Sequence, residues 1–121
     1  MEIHRSAEDY LEMMLMLGEK HGYIRSVDIA EELGVKKPSV SFATKRLREN
    51  GYITMDEGNL ITLTPKGREI AVRMYTRHKL LTDYLVALGV EADTARADAC
   101  KIEHDISDAS FEAIRRQYES L

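Results

Sequence analysis

The sequence predicts a mainly α chain, in which an N-terminal winged helix-turn-helix is followed by an α-helical domain. Three observations carry that expectation. Two short amphipathic runs meet at Gly34, two β-rich runs over 51–55 and 59–63 flank the turn Asp56-Glu57-Gly58, and beyond Thr64 the apolar residues keep helical spacing. Short helices joined by a tight Gly turn make a helix-turn-helix, and a hairpin directly after it makes a wing. The two parts are expected to span 1–63 and 64–121.

The elements follow in order. Ser6, with Glu8 and Asp9 behind it, suits the start of a first helix whose apolar face holds Tyr10, Leu11, Met13, Met14, Leu15 and Leu17, before Gly18 and Gly22 weaken it. Met13, Met14 and Met16 are read as adaptable packing in the core or at a dimer contact. A capped second helix over 26–33 stops at Gly34, and a third over 38–47 takes Pro38 in its opening turn, where a missing N–H costs nothing. Val40, Phe42 and Leu47 are assigned to the core. Thr64 caps and Pro65 opens a long helix carrying Ile70, Val72, Met74, Leu80, Leu81, Tyr84, Leu85 and Leu88 as far as Gly89. Helices over 92–105 and 107–118 complete the chain, the last one started by Ser107 and Asp108.

With 121 residues, 44% of them apolar, the chain can bury one core or divide it between two modules, which excludes a large enzyme. No run approaches the ~18 apolar residues of a membrane span, and Met1-Glu2-Ile3-His4 lacks the blocks of a signal peptide. A cytoplasmic protein without membrane contact is expected. The net charge of −4 argues against an indiscriminate nucleic-acid binder. Its distribution says more: Lys36, Lys37, Lys45, Arg46 and Arg48 occur with no acid over 36–48, whereas 91–108 is largely acidic. One segment suits phosphate and the other a cation.

A recognition helix fits the major groove, where side chains near its N-terminus reach base edges. Ser39, Ser41 and Thr44 are the short polar candidates for that task, and Lys36, Lys37, Lys45 and Arg46 the candidates for phosphate. Arg25 and Pro38 complete the expected DNA-facing set. The plainer reading is a helical hairpin with a solvated basic face, but helix, turn, helix and hairpin in that order favour DNA.

Metal ligation is the second expectation. Asp9 and Glu12 are spaced i, i+3, and Cys100, Glu103 and His104 i, i+3, i+4, so each set falls on one helical face; His78 lies between them in sequence. Thiolate, carboxylate and imidazole together match first-row transition ions. Solvated surface acids and a structural His are the plain alternative. The single cysteine excludes an intrachain disulfide and leaves Cys100 as buried, reactive, a ligand, or paired with another chain.

Several of these stretches resemble the diphtheria-toxin-repressor and manganese-transport-repressor family of metal-dependent regulators: Glu8-Asp9-Tyr10-Leu11-Glu12, Val27-Asp28-Ile29-Ala30 through Pro38-Ser39-Val40, Leu63-Thr64-Pro65-Lys66-Gly67, Arg77-His78-Lys79-Leu80-Leu81 and Ala99-Cys100-Lys101-Ile102-Glu103-His104. The resemblance implies a homodimeric repressor that binds double-stranded operator DNA, with metal joining the first helix to the later ones. It implies one or two divalent ions per subunit, Fe²⁺ or Mn²⁺, at Asp9, Glu12, His78, Cys100, Glu103 and His104. Asp9 looks like the manganese branch, where the iron branch has Met. Cys100 looks like the iron branch, where the manganese branch has Glu. Thr82 and Arg96 stand where the toxin-repressor branch has further ligands, and with the sequence ending at Leu121 the SH3-like third domain of that branch is not expected.

Two other classes compete. One is a winged-helix regulator sensing an organic ligand or an oxidant through Cys100. The other is a small carboxylate-bridged metalloenzyme, against which the wing and the missing second Glu-x-x-His argue.

Overall fold

The computed structural model describes residues 5–121. Eight elements follow one another: α1 (Arg5–His21), α2 (Ser26–Leu33), α3 (Lys37–Glu49), β1 (Ile53–Met55), β2 (Ile61–Leu63), α4 (Pro65–Ala87), α5 (Ala92–Asp105) and α6 (Asp108–Glu119). They form two compact units, Met1–Val72 and Arg73–Leu121, with the division inside α4. The helix-turn-helix, the wing and the three later helices stand where sequence places them. No helix among the described residues is long and apolar enough to cross a membrane. The tetrapeptide read above for a signal sequence lies outside the described residues.

In the N-terminal unit α1 packs on α2, α3 and β2. Leu11, Met14, Ile29, Val40, Leu47, Ile53 and Ile61 are among its buried side chains. Ser6 lies inside α1 rather than capping it, and Ser26 is the first residue of α2 rather than its cap. The α2 cap position belongs to Arg25, whose Nε and Nη2 donate to the Asp28 carboxylate at 3.0 and 3.2 Å. That bond holds Asp28 below the usual carboxylate range. Gly34 ends α2 in the left-handed region, at φ 67°.

Two side chains of α3 exchange the places expected of them. Thr44, read as a groove-facing polar group, is 3% exposed and its hydroxyl donates to the Ser41 carbonyl. Phe42, read as core, is 64% exposed. With about 100° between successive helical residues, Val40, Thr44 and Leu47 share one face and Phe42 falls opposite.

β1 and β2 pair antiparallel, with Ile53 opposite Leu63 and Met55 opposite Ile61. At the wing tip Asp56 Oδ1 accepts from the backbone N–H groups of Gly58 and Leu60, each at 2.9 Å. The left-handed position there is taken by Asn59, at φ 61°, rather than by the neighbouring glycine; asparagine tolerates that region best after glycine.

The start of α4 is fastened to the link that joins α3 to β1. Thr64 Oγ1 accepts from the Gly67 N–H at 3.2 Å as the expected cap, and donates to the Gly51 carbonyl at 2.7 Å. The Thr64 N–H donates to the Tyr52 carbonyl at 3.1 Å. Gly67 lets the backbones meet, because a Cβ there would stand 2.0 Å from the Tyr52 oxygen. Gly67→Ala is therefore expected to destabilise the protein by about 2 kcal/mol, overpacking outweighing the ~1 kcal/mol that Ala gains in helix propensity. A urea midpoint equal to or above that of the parent protein would contradict this account.

In the C-terminal unit Leu81, Ala99 and Phe111 form a buried cluster, with Leu80, Ile106 and Ile114 packed against it. Ser107 Oγ caps α6 by accepting from the Ser110 N–H, as expected. α5 is capped by Glu91, whose carboxylate accepts from the N–H groups of Asp93 and Thr94. These bonds hold Glu91 below the usual carboxylate range.

Candidate functional site

Glu103 is the chemical centre of the C-terminal unit. Its side chain is completely buried. Oε2 lies 2.9 Å from Nδ1 of His78 on α4. An ionised carboxylate only accepts, so Nδ1 carries the proton and the other ring nitrogen of a neutral His78 keeps its lone pair, the tautomer suited to a metal ligand. Oε1 accepts no hydrogen bond among the described residues and lies 3.4 Å from Nε2 of His104. A buried carboxylate oxygen that accepts no hydrogen bond is costly unless a cation meets it. This donor set, one unshared oxygen beside two imidazoles, fits a divalent transition ion.

The arrangement is held by Arg77, a residue to which sequence analysis gave no role. Its guanidinium is nearly buried; Nη1 donates to the carbonyls of Glu103 and Ile106 at 3.0 and 2.8 Å, and Nη2 pairs with Asp108. Its Cζ also stands 5.3 Å from the centre of the Phe111 ring. Arg77 thus binds the last turn of α5, which carries Glu103 and His104, to α4 and the start of α6. The sequence held a signal for it: Met74, Arg77 and Leu81 are three and four apart, which puts the arginine on an apolar stripe.

Cys100 parts from its neighbours. It is exposed, whereas Glu103 and the His104 side chain are buried, so the shared environment expected for the three residues extends to only two of them. Thr82 Oγ1 donates to the His78 carbonyl at 2.7 Å, and Arg96 pairs with Asp93. Both are engaged within their own helices.

In the N-terminal unit, α1 presents Asp9 and Glu12 on one face, with carboxylate oxygens within 4.8 Å of each other. Glu12 is buried. A hard divalent cation suits such a pair.

The DNA-facing set is exposed except for one member. Lys36, Lys37, Pro38, Ser39, Ser41, Lys45 and Arg46 lie on the surface in and just before α3, while Thr44 is turned into the core and leaves the set. Arg25, half-exposed and ion-paired with Asp28, presents a less available charge than its sequence position suggests.

The chain is 38% identical to the HTH-type transcriptional regulator MntR of Bacillus pumilus (strain SAFR-032) over 109 residues, covering 90% of this chain and 76% of that protein. It is 37% identical to the transcriptional regulator MntR of Salmonella typhimurium over 114 residues, covering 93% and 73%. Among solved structures it is similar to the manganese regulator SloR (TM-score 0.82, 31% identity) and to a manganese-dependent transcriptional repressor in complex with manganese (TM-score 0.84, 32% identity). In both cases 93% of this chain is covered, and the chain spans about half of the larger one, 53% and 52%. Residues 2–58 match the N-terminal DNA binding domain, and residues 64–121 the metal binding and dimerisation domain, of one family. The chain belongs to the iron dependent repressors.

Proposed function

We propose that this protein is a metal-responsive transcriptional repressor of iron or manganese homeostasis, binding a palindromic operator as a metal-loaded homodimer in the cytoplasm. The observation that carries the reading is the buried Glu103, with one oxygen orienting His78 and the other unshared beside His104. Residues 1–63 read DNA, and residues 64–121 bind metal and dimerise. The manganese regulators among its relatives support this, as do the family's two named domains.

The proposed ligands are Asp9, Glu12, His78, Cys100, Glu103 and His104. A divalent ion supplies positive charge where these donors carry negative charge and lone pairs. Fe²⁺ and Mn²⁺ are the ions proposed, in one or two copies per subunit: the carboxylates favour the harder Mn²⁺, the Cys100 thiol Fe²⁺. Around the site, the His78 tautomer is fixed by Glu103 and the end of α5 is held by Arg77, which pre-arranges donors at little further entropic cost. Ser39 and Ser41 face base edges, and Lys36, Lys37, Lys45 and Arg46 face phosphate. A dimer with reading helices about 34 Å apart, or a multiple, selects a palindrome. Metal and operator binding are then reciprocally linked.

Fluorescence anisotropy of a labelled palindromic duplex tests the reading, using metal-stripped protein and separate titrations of Mn²⁺, Fe²⁺ without oxygen, and Zn²⁺ at one salt concentration. Affinity that switches on with one ion is expected. Binding equally tight in chelator would remove the metal from the mechanism and favour control through Cys100.

A further inference from the structure

We propose that Phe42 is a specificity-determining residue that reads thymine, by packing its ring against the 5-methyl group in the major groove. The inference rests on the reading of α3 as the DNA-facing helix. Val40, Thr44 and Leu47 hold α3 to the core, so Phe42 lies on the opposite face and is a large apolar side chain left 64% exposed. Pro38, one turn earlier, is exposed as well, and Ser39 and Ser41 flank the pair. The surroundings are those of a polyanion's partner: Lys36, Lys37, Lys45, Arg46 and Arg48, with no acidic residue over 36–48.

A phenyl ring has no donor or acceptor for a base edge. The one apolar group on the major-groove edges of the base pairs is the thymine methyl, and an aromatic side chain is among its suitable partners. Arg46 Cζ stands 5.7 Å from the ring centre, a cation–π contact that restricts the ring before DNA arrives. That stacking reduces the freedom lost on binding and places the guanidinium beside the ring, within the same groove. The serines on either side supply hydrogen bonds that several bases satisfy, so Phe42 supplies the stronger preference at its own position.

The test has two stages. Full-length protein loaded with Mn²⁺ or Fe²⁺ first selects duplexes from a random pool. In the selected site each thymine is then replaced in turn by deoxyuridine, which pairs identically but lacks the methyl, and affinities are measured for the parent protein and for Phe42→Ala at one salt concentration. The expected result is a roughly fourfold loss per half-site at one thymine position for the parent protein, the value of about one buried methyl, and no such loss for Phe42→Ala. Parent protein indifferent to every replacement overturns the proposal, and so does Phe42→Ala that still discriminates thymine from uracil. If the parent protein selects no sequence at all, the DNA-binding reading fails, and this proposal with it. Phe42 is 64% exposed, so the variant is expected to fold; a matching circular dichroism melt confirms that.

Discussion

Glu103→Gln is expected to abolish metal-stimulated operator binding while raising the stability of the metal-free protein. The two effects have opposite signs because one atom causes both. In the absence of metal, Oε1 is a buried carboxylate oxygen that accepts no hydrogen bond among the described residues, and replacing the charge with an amide relieves that cost. The amide oxygen can still accept from His78 Nδ1, and the amide nitrogen then faces His104 Nε2 across the 3.4 Å gap. The metal-free melting point should therefore rise, by the equivalent of about 1 kcal/mol. Metal affinity should fall at least ~100-fold, at or beyond the upper end of the ~10–100-fold that losing a residue that merely supports a ligand costs. The thermal shift produced by Mn²⁺ or Fe²⁺ should disappear with it, since stabilisation by a ligand follows its affinity. Calorimetry with and without metal reads both effects. A variant that keeps the metal-induced shift would remove Glu103 from the ligand set.

Arg77→Met should be strongly destabilising for the C-terminal unit, costing about 3 kcal/mol. Methionine matches much of the aliphatic stem, so the loss is chiefly that of the guanidinium, whose bonds to the Glu103 and Ile106 carbonyls are made by a charged donor away from water. Asp108 contributes little to the cost, because it is 79% exposed and can return to solvent. Arg77→Lys should recover only part of the loss, since an ammonium lacks the fork that reaches two carbonyls and a carboxylate together. Urea unfolding of the three proteins provides the comparison. Equal midpoints for the parent protein and Arg77→Met would show that the guanidinium does not hold the end of α5.

Much of this architecture was legible because it follows short-range rules. Helical spacing of apolar residues gave α4, the Thr64-Pro65 pair gave its first turn, and Ser107 gave the start of α6. Caps were less legible: Arg25 stands at the N-cap position of α2 with no side-chain cap, where Ser26 is instead the first helical residue, and a glutamate caps α5. Hydrophobicity alone sends Phe42 to the core, whereas the angular step from Val40 sends it outward. Polarity alone sends Thr44 to the surface, whereas the same angular step turns it inward. The candidate ligands could be named by type and spacing, but the division of labour within Glu103 could not, because it depends on contacts 25 residues apart. The exposure of Cys100 likewise followed from how α5 turns its small residues Ala95 and Ala99 inward, a choice that spacing alone does not make.

The fastening at Gly67 bears on how finely the reading helix is tethered. Most helix junctions meet through side chains, whose rotamers yield and absorb small displacements before they are passed on. At this one, the carbonyl of Tyr52 sits where a Cβ would be, and the Thr64 N–H and hydroxyl grip the consecutive carbonyls of Tyr52 and Gly51, in the short link between α3 and β1. Such a joint has almost no backlash. A tilt of the first turn of α4 by a fraction of an ångström reaches 50–52 nearly undiminished, so the stroke needed to re-aim the end of α3 is short.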